Sequence, residues 1–119
     1  MKKKLISAGF FSELKHGRPE GGSLRASMQP TAGPDDARLV AYLRTGKRLM
    51  MAPGPVRDVL AANAIIGTLE ILTDGTYAWP SDLAHYVERH HAQAPVALLE
   101  HARANDFVMP TVDVSTVEL

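Results

Sequence analysis

The chain has 119 residues, 13 lysines and arginines against 13 aspartates and glutamates, 45% hydrophobic residues and no cysteine. That is one domain's worth of chain, and its charge balance argues against a dedicated nucleic-acid binder, which carries a basic excess. The missing cysteine excludes a disulfide framework, a zinc ribbon and a thiol nucleophile, the apolar content is too high for disorder, and no run reaches the roughly 18 apolar residues of a membrane span.

Lys2-Lys3-Lys4 followed by Leu5 to Phe11 imitates a secretory signal, but Ser12-Glu13 and Lys15-His16 cut the apolar stretch short and no small-residue cleavage site follows. The reading is a short amphipathic helix with Leu5, Ile6, Phe10 and Leu14 on one face, stopped at Gly17, in a cytoplasmic protein. Residues 17–33 read as a long loop punctuated by Gly17, Pro19, Gly21, Gly22, Pro30 and Gly33, with either a helical turn across Ser23 to Gln29 or a mobile flap.

From Pro34 the pattern sharpens. Proline at a first helical position, Asp35 and Asp36 in the first turn, and Leu39, Val40 and Leu43 on one stripe predict a helix that ends at Gly46. Lys47 to Ala52 reads as a strand, broken at Pro53-Gly54-Pro55 because two prolines deny two donors to a ladder. Val56 to Leu60 resumes extended structure, while Ala61 to Ala64 fits a helical turn equally well.

Thr68 to Thr73 and Thr76 to Trp79 flank Asp74-Gly75, the strongest short-range hairpin signal in the chain. A two-residue loop sets Thr73 against Thr76, Leu72 against Tyr77 and Ile71 against Ala78. One face then carries Ile71 and Ala78, the other Leu72, Tyr77 and Trp79, so both faces need cover. After Pro80, Ser81 is a good N-cap for a helix to His91 with Leu83, Tyr86, Val87 and His90 on one line. Pro95 opens a last helix with Val96, Leu99 and Ala102 inward, ending near Asn105, and residues 108–119 form an edge strand or a loose tail. The sum is one α+β domain over residues 1–119: a small antiparallel sheet of three to four strands packed against three to four helices.

Four of the five histidines, His85, His90, His91 and His101, cluster in one stretch. Helical metal pairs want i, i+4 spacing so that both rings point one way. The best set available is His85-x-x-Glu88-x-x-His91, with Asp82 assisting, and it smears around the helix. His90 and His91 otherwise suit a helix C-terminus, where the dipole favours an imidazolium. Asp74 and Asp82 have ordinary duties in the turn and the first helical turn, and Arg38, Arg44, Lys47 and Arg48 read as a solvated helix end. Tyr77, Trp79 and Tyr86, with Asp82 and His85 beside them, form a candidate aromatic binding corner, or else a core with two polar tips. No nucleophile elbow, phosphate-cradling glycine loop or paired-histidine zinc motif is present.

Across Ile71 to Glu88 the block TDG-x-aromatic-x-WP-x-DLA-x-Y resembles a group of small proteins of actinomycete-type, high-GC bacteria, with a looser likeness over residues 5–105. The resemblance implies no activity and transfers no catalytic residue, and at fold level such chains are also similar to immunity-type proteins of bacterial toxin systems. Two functions follow. The first is a cofactor-free interaction module, immunity-like or regulatory, that meets a protein partner or itself, and neither nucleic acid nor membrane, through Tyr77, Trp79, Asp82, His85 and Tyr86. The alternative is a small metal-dependent enzyme or metal-binding protein built on His85, Glu88 and His91.

Overall fold

A computed structural model describes residues 1–119. In chain order it contains β1 (Lys3–Lys4), β2 (Ile6–Ser7), a 3-10 turn (Pro19–Gly21), α1 (Leu24–Ser27), α2 (Asp36–Arg44), β3 (Lys47–Asp58), β4 (Ala64–Thr73), β5 (Tyr77–Pro80), α3 (Leu83–His90), α4 (Val96–Ala104), a second 3-10 turn (Val114–Thr116) and β6 (Val117–Glu118). The fold is α+β, as expected. The main sheet is mixed, however: its order is β2-β5-β4-β3, with β2 parallel to β5 and the other pairs antiparallel. A second, two-stranded parallel sheet joins β1 to β6. No helix is long and apolar enough to cross a membrane.

The N-terminal helix expected over Leu5 to Leu14 does not form. Residues 3–7 are extended, with Ile6 N–H donating to Thr76 O (2.9 Å) and Leu5 N–H to Glu118 O (2.7 Å). Gly9 has φ +83°, outside the right-handed helix, and Leu5, Ala8, Phe10, Phe11 and Leu14 are all buried. Sheet edges supplied by β5 and β6, far along the chain, outbid a short helix of low cooperativity. The end of the tail is correspondingly paired, β6 lying on β1 with Val117 buried in the same cluster as Leu5.

Of the two forms expected for residues 17–33, the helical turn is present. Ser23 caps α1 by accepting from Ala26 N–H (3.2 Å), and Leu24 is fully buried. Glu13 completes the cap from outside the segment. Its carboxylate accepts Leu24 N–H (2.7 Å), Arg25 N–H (2.9 Å) and the Ser23 hydroxyl (2.9 Å). Burial alone would raise this carboxyl, but those donors outweigh it and hold it at about 2.

In β3 the Pro53-Gly54-Pro55 break becomes a bulge rather than an end. Between the Met51–Glu70 and Pro55–Thr68 pairs, three residues of β3 oppose one of β4, and Gly54 takes φ +94°. The strand survives because it is the sheet's edge, where proline's missing donor faces solvent. The β4–β5 hairpin keeps the expected faces but shifts its register by two residues: Leu72 pairs with Trp79 and Thr73 with Ala78. A two-residue shift preserves the side-chain parity. Asp74 leaves the turn centre because its buried side chain has other partners. Oδ1 accepts from Thr76 N–H (3.0 Å) and Tyr77 N–H (2.8 Å), and Oδ2 from Tyr42 Oη (2.6 Å).

The two faces become two cores. Leu72 and Trp79 join α2, α3 and α4 in the larger one, while Ile71 and Ala78 meet Leu5, Phe10 and Val117 in the smaller. Trp79 is the hub of the first, fully buried, stacked on Tyr42 (6.1 Å between centroids) and donating Nε1–H to Leu43 O at 3.1 Å. Gly46 is needed here for space: a Cβ on it would lie 2.7 Å from Trp79 Cζ2 and 3.0 Å from Leu72 Cβ. Two other local assignments change. Ser81 does not cap α3; its hydroxyl accepts Glu70 N–H (2.9 Å) and donates to Thr68 O (3.1 Å), tying β4 to the helix start. On α4 the buried face is Leu98 and Ala102, and Val96 is exposed.

Candidate metal centre

Asp58 closes β3, and the turn that follows it is built on its own backbone and side chain. Its carbonyl accepts Ala61 N–H (3.3 Å) and Asn63 N–H (3.0 Å), and its Oδ1 accepts Leu60 N–H (2.8 Å). Ala62 and Asn63 complete the reversal at φ 55° and 58°. This arrangement spends one carboxylate oxygen on the turn and leaves Oδ2 facing α3. There Oδ2 lies 2.6 Å from His85 Nε2 and 2.6 Å from His90 Nε2. The Asp58 side chain is 4% exposed, whereas the imidazoles are 22% and 19% exposed. The result is a buried carboxylate under two rings that reach solvent.

Tyr86 braces this corner. Fully buried, its hydroxyl accepts Val59 N–H (3.0 Å) and donates to Arg57 O (3.2 Å), so α3 is tied to the strand on both sides of Asp58. Burial, with the carboxylates of Asp82 and Asp58 nearby, pushes that hydroxyl up to about 12, which keeps it a protonated donor. At Asp58, burial raises the carboxyl, but the hydrogen bonds from His85, His90 and the Leu60 amide outweigh it and hold it below its ordinary value.

His85 and His90 stand five positions apart, about 140° around a helix. Their rings converge nonetheless, 5.9 Å between centroids, because Asp58 comes down on the helix from the hairpin end between their two directions. The three donor atoms lie within 4.8 Å of one another. Two imidazoles and a carboxylate are a ligand set for a divalent first-row ion, and three protein ligands leave coordination positions open. At zinc bond lengths a tetrahedral site spaces donor atoms by about 3.3 Å. The present 2.6 Å separations are hydrogen-bond spacing, so an ion taking the place of the shared protons would part Oδ2 from each Nε2 by about 0.7 Å.

The residues expected at this site fare differently. His85 belongs to it, but Glu88 and His91 do not. Glu88 lies on the surface in a two-pronged pair with Arg44 (3.1 and 3.0 Å), which holds its carboxyl low. His91 is the left-handed C-cap of α3 (φ 55°) and borders a different cleft, with Gln29, Asp36 and Arg103. Asp82 is buried 2.9 Å from His16 Nε2, off the line of a hydrogen bond, so both its oxygens lack a hydrogen-bond partner. The aromatic corner is interior: Trp79 and Tyr86 are fully buried, and Tyr77, half-buried, packs on the His101 ring at 5.3 Å. Asp58 is the member that sequence reasoning misses. It lies 27 residues before His85 in a segment of ambiguous local preference. Its one signal is an aspartate heading a run able to turn, where a side-chain oxygen often binds the backbone two residues on.

Comparison with protein-family models, with curated proteins and with solved structures finds no match to this chain, so the functional reading rests on the site's own chemistry.

Proposed function

We propose that this protein binds one divalent transition-metal ion through Asp58 Oδ2, His85 Nε2 and His90 Nε2. The observation that supports it is the convergence of both imidazole Nε2 atoms on a single buried carboxylate oxygen at 2.6 Å. Two further features favour it. Oδ1 is anchored by the Leu60 amide, an outer contact that orients a ligating carboxylate. The partial exposure of both rings supplies an entry path.

The test is titration with Zn²⁺ alone, followed by calorimetry and thermal melting, with Co²⁺ absorption reporting the ligand field. One equivalent should bind and raise the melting temperature, by about 2.7 kcal/mol of stability at a hundredfold excess over Kd. Asp58→Asn, His85→Ala and His90→Ala should each weaken binding at least tenfold, while Glu88→Ala and His91→Ala should not. No thermal shift and no Co²⁺ spectrum in the unaltered protein would end the proposal, as would equal effects of His91→Ala and His90→Ala.

A second reading, an interaction module, draws on β3. It is an edge strand with Met50 and Met51 both more than half exposed, the kind of edge that pairs with another strand. It expects concentration-dependent self-association in sedimentation that Met51→Lys abolishes, and a monomer at every concentration counts against it.

A further inference from the structure

At the β3 bulge lies a cleft of about 480 Å³, lined by Leu14–His16 together with Ala52–Arg57, Val59, Asn63 and Leu69. In a chain of zero net charge, its charged lining is one-sided: Lys15 and Arg57 contribute cations, and no acidic side chain lines it. The Asp82 carboxylate is fully buried and does not line the cleft, and His16 turns its buried Nε2 toward it at 2.9 Å. Lys15 is exposed and makes no ion pair within the chain, and Arg57 spends one of its five N–H donors on Asn63 O (3.0 Å). Apart from Asn63, the remaining lining is mainly apolar, from Leu14, Val56, Val59 and Leu69 with Pro53 and Pro55 at the bulge.

We propose that this cleft is a binding site for a small organic anion with an apolar body, its carboxylate or phosphate head held by Lys15 and Arg57 and its hydrocarbon part against Leu14, Val56, Val59 and Leu69. An apolar pocket with a few convergent polar groups is the usual form of a small-molecule site. The sign of those groups selects the ligand's charge. The site is independent of the metal reading, since none of its lining residues is Asp58, His85 or His90.

The test follows backbone amide shifts during separate titrations with hexanoate, hexylamine and inorganic phosphate, to about 10 mM each. Hexanoate should give saturable shifts at Lys15, His16, Val56, Arg57 and Val59, and hexylamine none there. Lys15→Glu, at an exposed position with no partner to lose, should raise the hexanoate Kd about tenfold while leaving the other amide positions unchanged. Equal binding of hexylamine, hexanoate shifts centred elsewhere or absent, phosphate binding without hexanoate binding, or an unchanged Kd in Lys15→Glu would each overturn the proposal.

Discussion

Glu13→Gln should loosen the 17–33 segment and remove a defined part of the protein's acid sensitivity. The carboxylate serves two backbone donors through separate oxygens, Leu24 N–H on Oε1 and Arg25 N–H on Oε2. An amide offers one acceptor oxygen, so the variant leaves one of those two N–H groups facing an NH₂. A carboxyl held at about 2 rather than 4.5 corresponds to about 3.4 kcal/mol at 1.36 kcal/mol per pH unit. Because these hydrogen bonds are largely open to solvent, screening reduces that figure to about 1–2 kcal/mol. The sign follows from a depressed folded-state value. The stabilisation is complete above the unfolded carboxyl value of 4.5 and is lost as the pH falls through about 2. Urea unfolding read by the single tryptophan, Trp79, with amide exchange at Leu24 and Arg25, should show the variant about 1–2 kcal/mol less stable at pH 7. The gap should close near pH 2. Equal stability at pH 7, or a gap that persists undiminished at pH 2, would refute the reasoning.

Three further outcomes are expected. Gly46→Ala should cost about 1–3 kcal/mol in chemical denaturation by driving a methyl into Trp79, and in a Trp79→Phe background the same change should cost less, because the clashing Cζ2 is gone. Tyr42→Phe should destabilise by about 1–3 kcal/mol, since Asp74 Oδ2 then loses a buried 2.6 Å donor; an unchanged urea midpoint would show that His101, 3.5 Å away, takes over. Glu88→Ala should leave both the melting temperature and Zn²⁺ binding where they were, because its pair with Arg44 is half exposed on both sides.

Much of the architecture is legible because the relevant signals are local. Leu39, Val40 and Leu43 do face the core from α2, and Leu83, Tyr86 and Val87 do so from α3. The alternation of Ile71 and Ala78 against Leu72 and Trp79 locates both cores even though the hairpin register is two residues off. The errors share a cause. Leu5 to Leu14 has helical spacing but passes through β2 and continues as a turn-rich loop, because its first residues pair with residues 76–78 and 117–118. The metal set went to Glu88 and His91 by spacing along one helix, whereas the third ligand comes from a different hairpin. Trp79 and Tyr86, sticky by type, are interior because α2 and the β3 end cover them.

The sequence by itself determined the elements whose hydrogen bonds and periodicity close within a few residues: α2, α3, the β4–β5 reversal and the two-sided burial of that hairpin. Only the tertiary structure decided the strand pairing of the N-terminus, the Glu13 cap on α1 and the meeting of Asp58 with His85 and His90. Each of these depends on groups ten to more than a hundred residues apart. Local preference carries no information about which distant donor will arrive, and it is desolvation of that donor's partner, as at Asp58, that makes the pairing specific.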